Sequence, residues 1–210
     1  MDYTNCRLCP RECGVNRAAG ETGFCGCPDT ALVAKTMRHM WEEPVLAGSG
    51  GSGALFFGGC TLGCKYCQNA AISGGPVGKP TDSAGLRRIF EDLIAQGAEN
   101  IDLVTPTHFL PTILPALEPK LPVPVVCNCG GYERVETLRE LEGKIDIYLP
   151  DFKYADSTLA ADLSSAPDYF PRAQDAIREM VRQTGAPRWQ GDKLLRGTVI
   201  RHLILPGHVD

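Results

Sequence analysis

The chain has 210 residues, 43% of them hydrophobic, with ten cysteines and a formal charge of −4. That size and apolar share allow one domain with a real core and a small appendage, and the mild acidity leaves no basic field for nucleic acid. The polar start Met1-Asp2-Tyr3-Thr4-Asn5 is not a signal peptide, no apolar run nears the ~20 residues of a membrane span, and the cysteines therefore point to metal ligation in a reducing cytoplasm rather than to disulfides.

Residues 1–52 form a first segment, rich in cysteine and poor in periodicity. Cys6, Cys9, Cys13, Cys25 and Cys27 read as C-x2-C-x3-C-x11-C-x-C. Four thiolates, taken as Cys6, Cys9, Cys13 and Cys25, can close a structural zinc or a second iron–sulfur cluster. Bound zinc supplies roughly 10–16 kcal/mol to folding, ample for a segment too small for its own core. Gly48 to Gly53 formally fits G-x-G-x-x-G, but it precedes a strand instead of following one, so it reads as a flexible connection.

Residues 53–210 alternate between strand and helix patterns. The spacing predicts strands at Gly53–Gly58, Ile101–Thr105, Val123–Cys127, Ile145–Leu149 and Gly197–Leu205. Between them, Asp82 caps a helix carrying Leu86, Ile89, Phe90, Leu93 and Ile94 on one face, with Gly97 as its stop. A short helix is expected over Phe109–Glu118, another over Glu133–Glu142, and a third over Arg172–Gln183 with Ala173, Ile177, Met180 and Val181 inward. Such alternation implies right-handed crossovers and a parallel sheet, which curled gives a partial (β/α) barrel with its site at the C-terminal strand ends.

The chemistry concentrates in Cys60-Thr61-Leu62-Gly63-Cys64-Lys65-Tyr66-Cys67, a C-x3-C-x2-C triad at the end of the first predicted strand. Three thiolates can hold three irons of a [4Fe–4S] cluster and leave the fourth iron open to a ligand. Two other readings stay open from the residues alone: a zinc site completed by Cys127, Cys129 or a histidine, and an electron-carrying iron–sulfur protein. Cys127 and Cys129 themselves read best as small buried hydrophobes, and His39 as structural.

The triad, with aromatic Tyr66 before its last cysteine, resembles the signature of the radical S-adenosylmethionine (SAM) enzymes. The N-terminal Cys6 to Cys25 pattern, Trp41-Glu42-Glu43-Pro44 and Cys67-Gln68-Asn69 narrow the resemblance to the uncharacterised radical SAM proteins that are similar to pyruvate formate-lyase activating enzyme. The resemblance implies an oxidoreductase with a (β/α)6-type barrel, SAM on the open iron, and a 5′-deoxyadenosyl radical that abstracts hydrogen. A six-stranded barrel would extend past the fifth strand, so a missing last βα unit is expected. The resemblance further implies SAM contacts from Tyr66, Asn128, Asp151, Lys153 and Arg201. It departs after the second strand, where Thr105-Pro106-Thr107-His108 replaces a Gly-Gly-Glu element. Threonine hydroxyls or backbone carbonyls would then take that role, and His108 is a candidate acid–base group. Expected partners are an electron donor such as flavodoxin or ferredoxin, and a glycyl-radical enzyme or another protein or peptide substrate. Nucleic acid and membrane are not expected partners.

Overall fold

The computed structural model describes residues 1–208. In chain order it contains β1 (Ala31–His39), α1 (Pro44–Ala47), β2 (Ser52–Phe57), α2 (Ala70–Ser73), β3 (Lys79–Thr81), α3 (Ser83–Ala95), β4 (Ile101–Val104) and α4 (Leu110–Ala116). Then follow β5 (Val125–Cys129), α5 (Val135–Arg139), β6 (Ile147–Pro150), α6 (Ser157–Ser164), α7 (Tyr169–Thr184), β7 (Arg188–Gln190) and β8 (Lys193–Thr198). All eight strands join one mixed sheet in the order β3-β1-β2-β4-β5-β6-β8-β7. The run β2-β4-β5-β6-β8 is parallel, while β1, β3 and β7 add antiparallel pairs at its flanks. No helix among the described residues is long and apolar enough to cross a membrane.

Strand alternation divides the sheet into two faces. Leu55, Phe57, Ile101, Leu103, Val125, Cys127 and Tyr148 pack with residues of α3, α4, α5 and α7 in the main core. Ala54, Asp102, Val126, Asn128, Ile147 and Leu149 hold the intervening positions. Val126, Ile147 and Leu149 form a smaller core with Leu46 and Leu194. A third cluster, built on Leu62, Tyr132, Tyr154 and Tyr169, includes half-buried Cys60, Cys64 and Tyr66.

Helix α3 follows its local signals closely. Asp82 accepts a hydrogen bond from the Gly85 amide at 2.7 Å, and Leu86, Phe90 and Leu93 are buried. Other boundaries differ for reasons that lie outside the segment. Strand β5 starts two residues later than expected, because Pro124 has no N–H for the ladder. The extended pairing of β8 with β6 fades beyond Arg201, where an isolated bridge to Asp151 remains, so Leu203 and Ile204 are exposed. Val181 is also exposed, because the buried stripe of α7 runs through Ala173, Ala176, Met180 and Thr184.

The sheet crosses the boundary drawn at residue 52. Strand β1 pairs antiparallel with β2, from Val33 opposite Phe57 to His39 opposite Ser52. The glycine–serine stretch before β2 is tied down, with the Gly50 amide donating to Glu99 Oε1 at 2.7 Å. A Cβ on Gly50 would lie 2.2 Å from the Gly97 carbonyl oxygen, so glycine serves close packing there.

Replacing Asp82 by Ala removes the side-chain acceptor at the start of α3 and is expected to cost about 1 kcal/mol in a urea unfolding titration. Asp82→Ser is expected to keep most of that stability. Equal losses in both variants would assign the effect to something other than capping.

Candidate metal centre

Strand β2 ends in Gly58 and Gly59, and both glycines are required by crowding. A Cβ on Gly58 would lie 1.8 Å from the Val77 carbonyl oxygen, and one on Gly59 2.2 Å from Cys27 Sγ. The cysteine loop therefore starts wedged between the N-terminal segment and the chain leading into β3. His108 Nε2 donates to the Gly58 carbonyl at 2.8 Å from behind. His108 is 1% exposed, and burial pushes its pKa down to about 4, so its ring is neutral at pH 7. His108 thus supports the base of the loop in this structure. Thr107 is likewise engaged, donating to Glu133 Oε2 at 2.6 Å.

Each thiol of the triad has a hydrogen-bond donor. The Leu62 amide points to Cys60 Sγ at 3.4 Å, Ser164 Oγ to Cys64 Sγ at 3.0 Å, and Ser73 Oγ to Cys67 Sγ at 3.3 Å. Burial pushes the Cys60 thiol up, and neighbouring Cys64 and Cys67 push the same way, so bringing all three to the thiolate state calls for compensating positive charge. All ten cysteines are free. Among the described residues no three His, Cys, Asp or Glu side chains converge on a single ion. A cubane cluster does not need that convergence, because its cysteines bind separate irons. Three soft, closely grouped sulfurs with donors supplied fit such a cluster.

Arg11 fastens this loop to the rest. Its guanidinium donates to the carbonyls of Thr61 at 3.1 Å, Leu62 at 3.2 Å and Ser164 at 3.0 Å, and also to that of Ser165. It also stacks over Phe24, 3.8 Å from the ring centroid. Arginine's planar fork suits several carbonyls at once.

The N-terminal thiols differ from one another in burial. Cys6 is buried beside Arg17, whereas Cys13 is exposed and accepts from the Phe24 amide at 3.3 Å. Cys9 and Cys25 lie near Cys13, and burial drives the Cys9 thiol up. A hydrogen bond from Cys27 lowers the Cys25 pKa to about 6, making Cys25 the ionised member of that pair. The four-thiolate set is thus not gathered for one zinc ion.

The side chains of Asn128, Asp151, Lys153 and Arg201 meet one another, with Tyr66 beside Lys153. Arg201 donates to Asn128 Oδ1 at 2.7 Å and to Asp151 Oδ1 at 3.0 Å. Lys153 Nζ meets Asp151 Oδ2 at 2.7 Å and sits 5.9 Å from the Tyr66 ring centroid. Burial opposes the charge on Lys153, but the adjacent Asp151 carboxylate outweighs it and raises the pKa. Tyr66 OH reaches Tyr154 OH at 2.6 Å.

Two carboxyls complete this network that motif reading passed over as site groups. Asn128 Nδ2 faces Asp102 Oδ2 at 3.3 Å, and Arg201 lies 3.6 Å from Glu42 Oε1. Asp102 is fully buried; burial and then Glu42 raise its pKa well above the usual carboxylate value. The available signal was an aspartate inside the apolar run Ile101-Asp102-Leu103-Val104, where a buried carboxyl requires a partner. Glu133, buried with Thr107, was passed over too, since no local pattern marks it.

Residues 46–109, which include the whole triad, match the family described as a 4Fe-4S single cluster domain. The match and the thiolate geometry support an iron–sulfur protein. An uncharacterized protein of Methanocaldococcus jannaschii is 30% identical over 223 aligned residues, covering 99% of this chain and 59% of that protein. The chain thus spans 59% of its relative's length.

Glu133 makes a pH prediction. Its carboxyl ionises at about 4.5 when unfolded and at about 7 in the fold, chiefly because of burial. The folded state therefore holds a proton that the unfolded chain releases, and stability falls as pH rises between those values, by roughly 3 kcal/mol. Glu133→Gln is expected to flatten that fall in denaturation midpoints measured from pH 4.5 to 8, and an unchanged slope would exclude Glu133 as its source.

Proposed function

We propose that this chain is a radical SAM enzyme built on a partial (β/α) barrel, with Cys60, Cys64 and Cys67 holding a [4Fe–4S] cluster that has one open corner. The observation carrying this reading is the pairing of a three-thiolate loop at the end of β2 with Asn128, Asp151, Lys153 and Arg201 at the ends of neighbouring strands. Ligands of parallel α/β folds bind at that edge. When bound, the cluster and SAM supply one-electron cleavage to a 5′-deoxyadenosyl radical.

The chain's own residues then bind and orient. Lys153 and Arg201 offer two cations to a ligand carboxylate, and Asp151 between them aligns both heads. Asn128 holds Arg201 through its carbonyl oxygen while its amide faces Asp102 and Glu42. Tyr66 offers a ring face beside Lys153. Activation of a glycyl-radical enzyme and modification of a small molecule or another peptide are the substrate classes open to this reading. Flavodoxin or ferredoxin would supply the electron in a reducing cytoplasm.

Anaerobically reconstituted protein is expected to contain about four irons per chain and, once reduced by dithionite, to convert SAM to 5′-deoxyadenosine detectable by mass spectrometry. Cys64→Ala should abolish that product. Lys153→Ala should keep the cluster and raise the SAM concentration for half-saturation by about tenfold or more, the loss of one charge-assisted hydrogen bond. Zinc without acid-labile sulfide would sink the reading, and a stable cluster without product would leave a non-catalytic iron–sulfur protein in its place.

A further inference from the structure

The three triad thiols receive their donors from unequal distances along the chain. Cys60 and Cys67 are served from within or just after their own loop, by the Leu62 amide and Ser73 Oγ. Cys64 is served by Ser164, one hundred residues away at the last position of α6. Ser164 is 1% exposed, and its hydroxyl is itself engaged by Tyr154 OH at 2.6 Å. Tyr154, buried as well, meets Tyr66 OH at 2.6 Å. Three hydroxyls thus run in series from Tyr66 to a sulfur.

The order of donation follows from chemistry. A metal-bound thiolate only accepts, so Ser164 turns its proton to Cys64 and must accept from Tyr154, which in turn accepts from Tyr66. Donors in a chain polarise one another, and each strengthens the next. The terminus of α6 is also held in place. Lys65 N donates to the Leu163 carbonyl at 2.8 Å, Lys65 Nζ pairs with Asp162 at 2.6 Å, and Arg11 grips the Ser164 carbonyl at 3.0 Å.

We propose that the Tyr66–Tyr154–Ser164 hydroxyl chain sets the reduction potential of the cluster through Cys64. This rests on the reading that the triad holds a [4Fe–4S] cluster. Adding an electron increases negative charge on the sulfurs, so a donor at Cys64 favours the reduced state and raises the potential. Ser164 and Tyr154 are positioning residues in this scheme, acting on the cluster through its ligand.

The test is an EPR-monitored redox titration of the reconstituted full chain, with iron content measured on every sample. Ser164→Ala is expected to keep its iron and shift the midpoint to more negative potential. The expected size is about tenfold in the reduced-to-oxidised ratio at fixed potential, or about 59 mV for one electron. Ser164→Thr restores the hydroxyl and should restore the midpoint. Tyr154→Phe, which leaves Ser164 in place, should shift it in the same direction by less. Unchanged midpoints in loaded Ser164→Ala and Tyr154→Phe overturn this inference while leaving the cluster assignment intact. Should Ser164→Ala fail to load, the Tyr154→Phe midpoint alone decides. A wild-type chain that binds no cluster overturns both.

Discussion

Parallel pairing is the constraint on which the rest of this structure depends. Strands β2, β4, β5, β6 and β8 run the same way, so each must end at the same edge of the sheet. The cysteine loop, Asn128, Asp151 and, through its bridge to Asp151, Arg201 reach that edge from segments spread between residues 60 and 201. No local preference brings those side chains together. The ladder does so as a consequence of burying both sheet faces, one under α3, α4, α5 and α7 and the other around Val126, Ile147 and Leu149.

Concentrating polar groups there has an electrostatic cost, and the fold answers it with pairing. Lys153 and Arg201 share Asp151, while burial and Glu42 push the Asp102 carboxyl toward its neutral form. Arg11 and Arg17 are two further buried or half-buried cations. Arg17, 2% exposed, donates to carbonyls of Cys27, Pro28 and His108, just as Arg11 serves Thr61, Leu62 and Ser164. Both arginines come from the N-terminal segment; Arg11 fastens that segment to the cysteine loop and Arg17 ties it to His108, whatever metal its own thiols take.

Legibility follows the range of the interaction. Helix α3 could be read because its cap and apolar stripe both lie within a few residues, and the triad because its thiolates share one loop. Strand β5 was misplaced by two residues since the signal, an apolar run from Val123, does not weigh the missing donor of Pro124. Val181 looked inward on apolarity alone, whereas the burial of α7 is decided by where α5 and the sheet stand. His108 offered an imidazole in a promising loop, and only its depth beneath Gly58 revealed it as a support. Strand β1 was invisible, because its exposed second half carries little alternation and its partner is β2.

The sequence by itself determined the alternation of strand and helix, the three-thiolate loop at a strand end and its likeness to cluster-binding proteins, because each is encoded in neighbours along the chain. Tertiary structure decided which carboxyl is buried beside Glu42, which cation meets Asp151, and which hydroxyl reaches Cys64. Those outcomes depend on distance and desolvation between residues as far apart as Glu42 and Arg201 or Cys64 and Ser164, and neither quantity exists until the chain is folded.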